Sequence, residues 1–292
     1  MSAGDQLMPE GSQSGFLIIL AAQTAPAEAI ASAVDVLPPN WPVVTRELAW
    51  GTALLAGPAF NIDGDHVVLG TAVADPWGIP GSTVERAEMM TRCKRYGAQA
   101  VNLAAGPFAV ADLHTGSITR APNGVVPLYV AVGKRHVVGT HREIVLRLAD
   151  SAATRLVPAG VEIHIDGTER NVADLTVQES IRYVDIVDLG REIEMHLARC
   201  TVPLVPFNDS ALPAPHGFRL LRHDNALVAS AIAEQMPETL GSVAAIEATR
   251  RAMSALWWQA GRAGMQLFVP ALERPAMDTL FLALGCIRSR RR

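Results

Sequence analysis

The stretch from Arg95 to Leu146 constrains the fold of this chain more than any other. It passes a helix end at Tyr96-Gly97 and a short helical segment, Ala98–Ala105. It then runs through apolar, strand-like segments separated by Gly106, Gly116, Gly124 and Gly139. Glycine at each reversal permits the backbone angles of tight turns, so this pattern predicts hairpin-connected antiparallel strands rather than a helical array.

The flanking segments extend the pattern. Phe16-Leu17-Ile18-Ile19-Leu20 is apolar without polar alternation and too short for a helix, which predicts a buried first strand. Ala25–Val36 predicts a helix stopped by Pro38-Pro39. Arg46–Leu55 and His66–Thr71 are the next strand candidates, with Asp63-Gly64 as a turn between them. Ser82-Thr83-Val84-Glu85 has the spacing of a capping box that opens a helix running to Tyr96. Val161–Ile165 and the turn Asp166-Gly167 close the series. Helices inserted as blocks among alternating strands imply an α+β fold of antiparallel sheets with flanking helices.

Beyond residue 170 the pattern becomes helical, over Gln178–Cys200, Asn225–Gln235 and Val243–Gly261. Pro203, Pro206, Pro213 and Pro215 form an irregular linker. Residues 1–14 are small and polar and read as a disordered N-terminus.

Composition excludes several function classes. A chain of 292 residues with 49% hydrophobic content can bury a sizeable core. A net charge of −4 leaves no general footprint for nucleic acid. The mean hydropathy is positive, at +0.21, yet the longest early apolar run, Phe16–Ala22, is far below the ~20 residues of a spanning helix. Acidic Asp5 and Glu10 precede that run, the wrong charge for a signal peptide, so the expectation is a cytoplasmic protein without a membrane segment. Cys93, Cys200 and Cys286 are far apart and lack metal-ligand spacing, so no metal site is expected.

Several spaced elements recur in a known order: Tyr96-Gly97, Gly106-Pro107-Phe108-Ala109, Arg120, Gly124-Val125-Val126-Pro127-Leu128-Tyr129, and Thr140–Leu146 leading into a helix. Together they resemble the N-terminal, glutaminase-type domain of the asparagine synthetase superfamily, which also contains beta-lactam synthetases and lasso-peptide cyclases. The resemblance implies a glutamine amidotransferase type 2-like domain over residues 15–170, with an Ntn-like antiparallel αββα sandwich. Phe268–Leu284 is similar to a late element of the synthetase domain, so residues 171–292 read as a short, mostly helical remnant of it.

The residues that carry the family's chemistry are missing from this sequence. Its glutaminases use an N-terminal cysteine at the start of the first strand, with its own amine as base. No cysteine precedes Cys93 here. Ser14, in Ser14-Gly15-Phe16-Leu17, is the catalytic candidate if processing exposes it; the other reading is a linker serine before a strand. Asn61 and Gly64 could stand for the family's oxyanion donors, or form a plain Asp-Gly turn. Ala121 replaces the aspartate that usually follows the arginine at Arg120, removing an ion pair. The pyrophosphate-binding Ser-Gly-Gly-x-Asp-Ser loop is absent, and Val202–Ser210 in its place carries two prolines.

The resemblance and its gaps lead to a scaffold or partner-binding homologue without independent catalysis or a cofactor. Its partner would be another protein or a second copy of the chain, suggested by Trp257-Trp258 and Leu280–Leu284. The alternative is an ATP-dependent amide-forming synthetase or macrocyclase, using ATP and Mg, whose site a second chain completes. A third reading is an Ntn amidohydrolase starting at Ser14.

Overall fold

A computed structural model of the chain describes residues 15–74, 84–172, 186–199 and 203–273. In chain order, its first part contains β1 (Leu17–Ala22), α1 (Ala27–Val34), β2 (Val43–Leu48), β3 (Gly51–Ala56), β4 (Phe60–Asp63), β5 (His66–Gly70) and α2 (Arg86–Tyr96). A 3-10 segment, Gly97–Leu103, then precedes β6 (Phe108–Asp112), β7 (Ser117–Arg120), β8 (Tyr129–Val132), β9 (His136–Gly139) and α3 (Arg142–Ala149). The strands β10 (Arg155–Leu156), β11 (Val161–His164) and β12 (Glu169–Asn171) follow.

These strands form two six-stranded antiparallel sheets, ordered β10-β8-β9-β1-β3-β2 and β12-β11-β7-β6-β5-β4. The predicted first strand is interior, between β9 and β3. It is apolar at successive positions because both of its faces are covered. Ile18 and Leu20 enter the large core with Leu69, Ile118 and Ile163 of the second sheet. Leu17 and Ile19 face the opposite way, into a core shared with Ala33 of α1 and Ile144, Val145 and Leu148 of α3. The second sheet has its own outer core, where Val68, Phe108 and Val110 meet Met89, Met90 and Cys93 of α2 and Val101 of the 3-10 segment. The Trp50 indole N–H donates to the Leu113 carbonyl at 2.7 Å and ties an end of the first sheet to the second.

The remaining elements are α4 (Ile186–Arg199), β13 (Val205–Pro206), β14 (Phe218–His223), β15 (Ala226–Ala231), α5 (Met236–Leu240), α6 (Val243–Arg262) and β16 (Gln266–Phe268). A four-stranded sheet, β13-β14-β15-β16, runs through them, with β16 parallel to β15. The expected helix over Asn225–Gln235 is therefore a strand for most of its length. Asp224 adopts φ 48° and, with Asn225, turns β14 into β15, where His223 pairs with Ala226. Ala226–Ala231 is buried at every position, and such a segment lacks the polar alternation that separates strand from helix. The described C-terminal part is thus mixed rather than mostly helical. Its apolar side chains, including Leu227, Met253 and Phe268, continue the large core between the two N-terminal sheets.

Other expectations shift locally. Arg46–Leu55 contains a hairpin, β2 and β3, instead of one strand, and β4 is a further strand beyond the expected set. The segment after Tyr96 is 3-10 and stops at Leu103. Residue Glu85 caps α2 without a side-chain hydrogen bond, while Ser82 and Thr83 of the capping box lie outside the described residues. Phe108 and Leu128 are 0% and 1% exposed but serve different cores.

Candidate functional site

The start of β1 is where an N-terminal nucleophile would stand. Ser14 lies outside the described residues, and its neighbour Gly15 marks the place. Gly15 has φ 95°, and a Cβ there would come within 2.6 Å of the Trp41 ring and 3.2 Å of the Gly261 carbonyl oxygen. Gly57, at φ 102°, crosses so closely that its Cβ would lie 2.7 Å from the Gly15 oxygen. Phe16 packs edge-on against Trp257, with ring centroids 5.1 Å apart. Gly15, Phe16, Gly70, Pro107, Trp257 and Met265 surround a void of about 10 Å³, the space needed by one water molecule. The Gly15–Gly57 crossing and two tryptophans, Trp41 and Trp257, thus occupy this end of the sheets.

Helix α6 places Trp257 and its neighbour Trp258. Adjacent residues on a helix point about a quarter-turn apart, so Trp257 enters the large core while Trp258 lies at its edge, against the outer core of the first sheet as well. Trp257 is buried between the sheets. Trp258 is half-buried beside the outer core of the first sheet, with T-shaped contacts to Trp41 at 5.9 Å and His141 at 4.5 Å. Both tryptophans thus have contacts within the chain. Leu280–Leu284 lies outside the described residues.

Beneath α6 sits a buried polar cluster. Arg120, 1% exposed, donates from Nε to the Val126 carbonyl at 2.9 Å and from its other nitrogens to the Gly124 and Val157 carbonyls. Where an aspartate would have paired with it, three backbone carbonyls hold the guanidinium. Burial, then repulsion from Arg250, lowers its pKa to about 10. Ser254 donates to the Val125 carbonyl at 3.0 Å and Arg250 to the Pro122 carbonyl at 3.1 Å, so α6 is clamped onto the same turn.

Asn123, in that turn, gives its amide hydrogens to the Gly106 carbonyl at 2.7 Å and the Glu273 carboxylate at 2.9 Å. Its Oδ1 accepts from Val125 N–H at 3.0 Å. Glu273 also accepts from Gly106 N–H at 3.1 Å. Burial pushes the Glu273 carboxyl up to about 7, outweighing the Asn123 and Gly106 hydrogen bonds that lower it. Neither residue carries a local sequence signal. Glu273 looks like a surface glutamate after Leu272, and only the long-range packing reveals it as an interior one.

The oxyanion candidates Asn61 and Gly64 resolve as local structure. Asn61 is in β4, and Gly64 is in the two-residue turn to β5 and accepts from Arg46 Nη1 at 2.9 Å. His141 caps α3 by accepting the Ile144 N–H at Nδ1, 3.4 Å away. Glu143 pairs with Arg142 rather than with His141. His223 and Asp224 are in contact at 3.2 Å at the exposed β14–β15 turn. Of the proline-rich Val202–Ser210 stretch, Val205–Pro206 forms an edge strand on β14. Burial pushes the Cys93 thiol up to about 12, so it is not poised as a nucleophile. Among the described residues no group of three or more His, Cys, Asp or Glu side chains is arranged to hold a metal ion. Nor is any helix among them long and apolar enough to cross a membrane.

No protein-family profile matches the sequence, and no curated protein matches it. Solved structures similar to the fold include glutamine phosphoribosylpyrophosphate amidotransferase from B. subtilis, complexed with ADP and GMP. It is 10% identical, with a TM-score of 0.38, over 65% of this chain and 60% of that one. Another, described as the allosteric regulatory enzyme of purine biosynthesis, is 12% identical with a TM-score of 0.32, over 67% of this chain and 54% of that one. The chain thus spans little more than half the length of either protein.

Proposed function

We propose that this chain keeps the layered framework of a glutaminase-type domain and serves as a scaffold or partner-binding relative of the asparagine synthetases, without catalysis of its own. In this reading α1 and α3 outside the first sheet, and α2 with the 3-10 segment outside the second, make residues 15–172 an αββα sandwich. The ordered motifs from Tyr96 to Leu146 support the family assignment.

One observation carries the loss of catalysis. An amide-hydrolysing Ntn site needs a free terminal nucleophile at the strand start and room beside it for a substrate side chain. Here that place is taken by the Gly15–Gly57 crossing and the Trp257 ring, leaving a void for about one water.

The test is direct. The purified chain should neither hydrolyse glutamine nor exchange pyrophosphate into ATP, and its intact mass should not correspond to a chain starting at Ser14. Sustained turnover in either assay would defeat the proposal. The role for a partner is checked by light scattering and thermal stability. A clean monomer, unaffected by every candidate partner, would count against the scaffold.

A further inference from the structure

The outer face of the second sheet divides sharply in polarity. In an antiparallel sheet, directly paired residues point to the same side, so the register gives rows of neighbouring side chains. One row runs His66–Asp112–Ser117–His164, polar throughout. The next runs Val68–Val110–Thr119–Glu162–Arg170, apolar at one end and polar at the other. Val68 and Val110 are covered by α2 and the 3-10 segment. Past that cover the polar ends of the rows floor a cavity of about 220 Å³, walled by Cys93, Gly97 and Ala98.

A partly covered sheet face would normally put its polar side chains in open water. These do not stand there: Ser117, Thr119 and Glu162 are 3%, 2% and 5% exposed. A hydrogen-bond chain orders them. Asp112 accepts the His114 and Thr115 backbone N–H groups at one oxygen, and Thr115 Oγ1 donates to Ser117 Oγ at 3.1 Å. Ser117 Oγ donates to Glu162 Oε1 at 3.0 Å. On the solvent side Arg170 donates to Glu162 Oε2 through Nε at 2.9 Å and Nη2 at 2.6 Å, and His164 Nε2 lies 3.6 Å from the same oxygen. Such a connected network holds its members in fixed positions without any ligand. Thr119 sits beside Glu162 in the floor, and no hydrogen bond of its hydroxyl is formed among the described residues.

We propose that this cavity is a binding site for a small ammonium compound with a short hydrocarbon body. Two carboxylates, Asp112 and Glu162, face one guanidinium, Arg170, so the carboxylates of the lining outnumber its guanidinium. The second Asp112 oxygen, the remaining lone pairs of Glu162 Oε1 and the Thr119 hydroxyl all accept, which suits the three N–H donors of an ammonium group. Cys93, Val110 and Ala98 provide the apolar wall for the hydrocarbon part. A volume of about 220 Å³ limits the ligand to the size of an amino acid or a short amine. The site lies on the opposite face of the sheet from the interior where β1 packs, and it is independent of the proposed scaffold role.

A two-dimensional amide NMR titration of the full chain with butylammonium, butanol and butyrate tests this. Butylammonium should give saturable shifts confined to amides near Ser117, Thr119 and Glu162, with butanol weaker and butyrate weakest. Glu162→Gln should weaken butylammonium about tenfold or more, the loss of one charge-assisted contact. Should that variant fail to fold, Thr119→Val, of nearly the same shape, should weaken it severalfold with the spectrum otherwise preserved. Binding of butyrate as tight as that of butylammonium, shifts scattered over the surface, no saturation, or affinity unchanged in the folded variant would each overturn the proposal.

Discussion

Glu273 and Asn123, 150 residues apart in sequence, meet in the protein interior, with the Asn123 amide nitrogen 2.9 Å from Glu273 Oε1. The contact joins the end of the described chain to the turn between β7 and β8. Because the same carboxylate accepts the Gly106 N–H, one buried acid braces two loops that would otherwise have unpaired polar groups.

This acid should make the protein less stable as pH rises. Its folded value of about 7 lies above the ordinary 4.5, so between these values the folded state holds more protons than the unfolded chain. The Glu273 contribution is then fully present below pH ~4.5 and is lost as pH climbs through ~7, by about 3 kcal/mol. Glu273→Gln keeps the hydrogen bonding but does not titrate. Urea unfolding across this range should show the wild-type stability falling relative to the variant.

His141 should act with the opposite sign. Burial, the largest influence, holds its imidazole below the usual value of 6.5, and the neutral ring accepts the Ile144 N–H as the α3 cap. Its contribution is present above pH ~6.5 and is lost as pH falls through the lower folded value. His141→Asn, which can cap without titrating there, should flatten the acid limb of the thermal stability profile.

Removing Arg120 should be among the most damaging single changes. Arg120→Met would strand the carbonyls of Gly124, Val126 and Val157 in the interior, at a cost of about 3 kcal/mol or more. Arg120→Lys should recover only part of the loss, because an ammonium cannot reproduce the planar fork. Denaturant midpoints of the two variants check the ranking.

Phe108→Ala should cost about 3–5 kcal/mol, since Phe108 is fully buried beneath α2. Chemical denaturation reads the change directly. A value below about 1 kcal/mol would mean that the outer core collapses around the gap.

Gly57→Ala should destabilise by about 1–3 kcal/mol. The backbone is at φ 102°, and the added methyl would meet the Gly15 carbonyl oxygen. The same change at Gly64, also in a left-handed turn but with open space around it, should cost less. Paired melting curves distinguish close approach from backbone preference alone.

Local pattern by itself determined the antiparallel character of residues 15–172, the buried first strand and the α6 helix. Glycine spacing and runs of apolar residues act within a few neighbours, where turn geometry and side-chain periodicity are set. Tertiary structure alone decided that Ala226–Ala231 is a strand, because a mostly apolar hexapeptide buried at every position carries no period of its own. It alone decided that Arg120 pairs with carbonyls, that Trp258 finds Trp41 and His141, and that Glu273 reaches Asn123. Likewise, the polar rows His66–His164 and Thr119–Arg170 become a cavity only when five strands align in register beside α2. Such contacts join residues far apart in the chain, and burial and charge depend on what the fold packs against them, which no local pattern encodes.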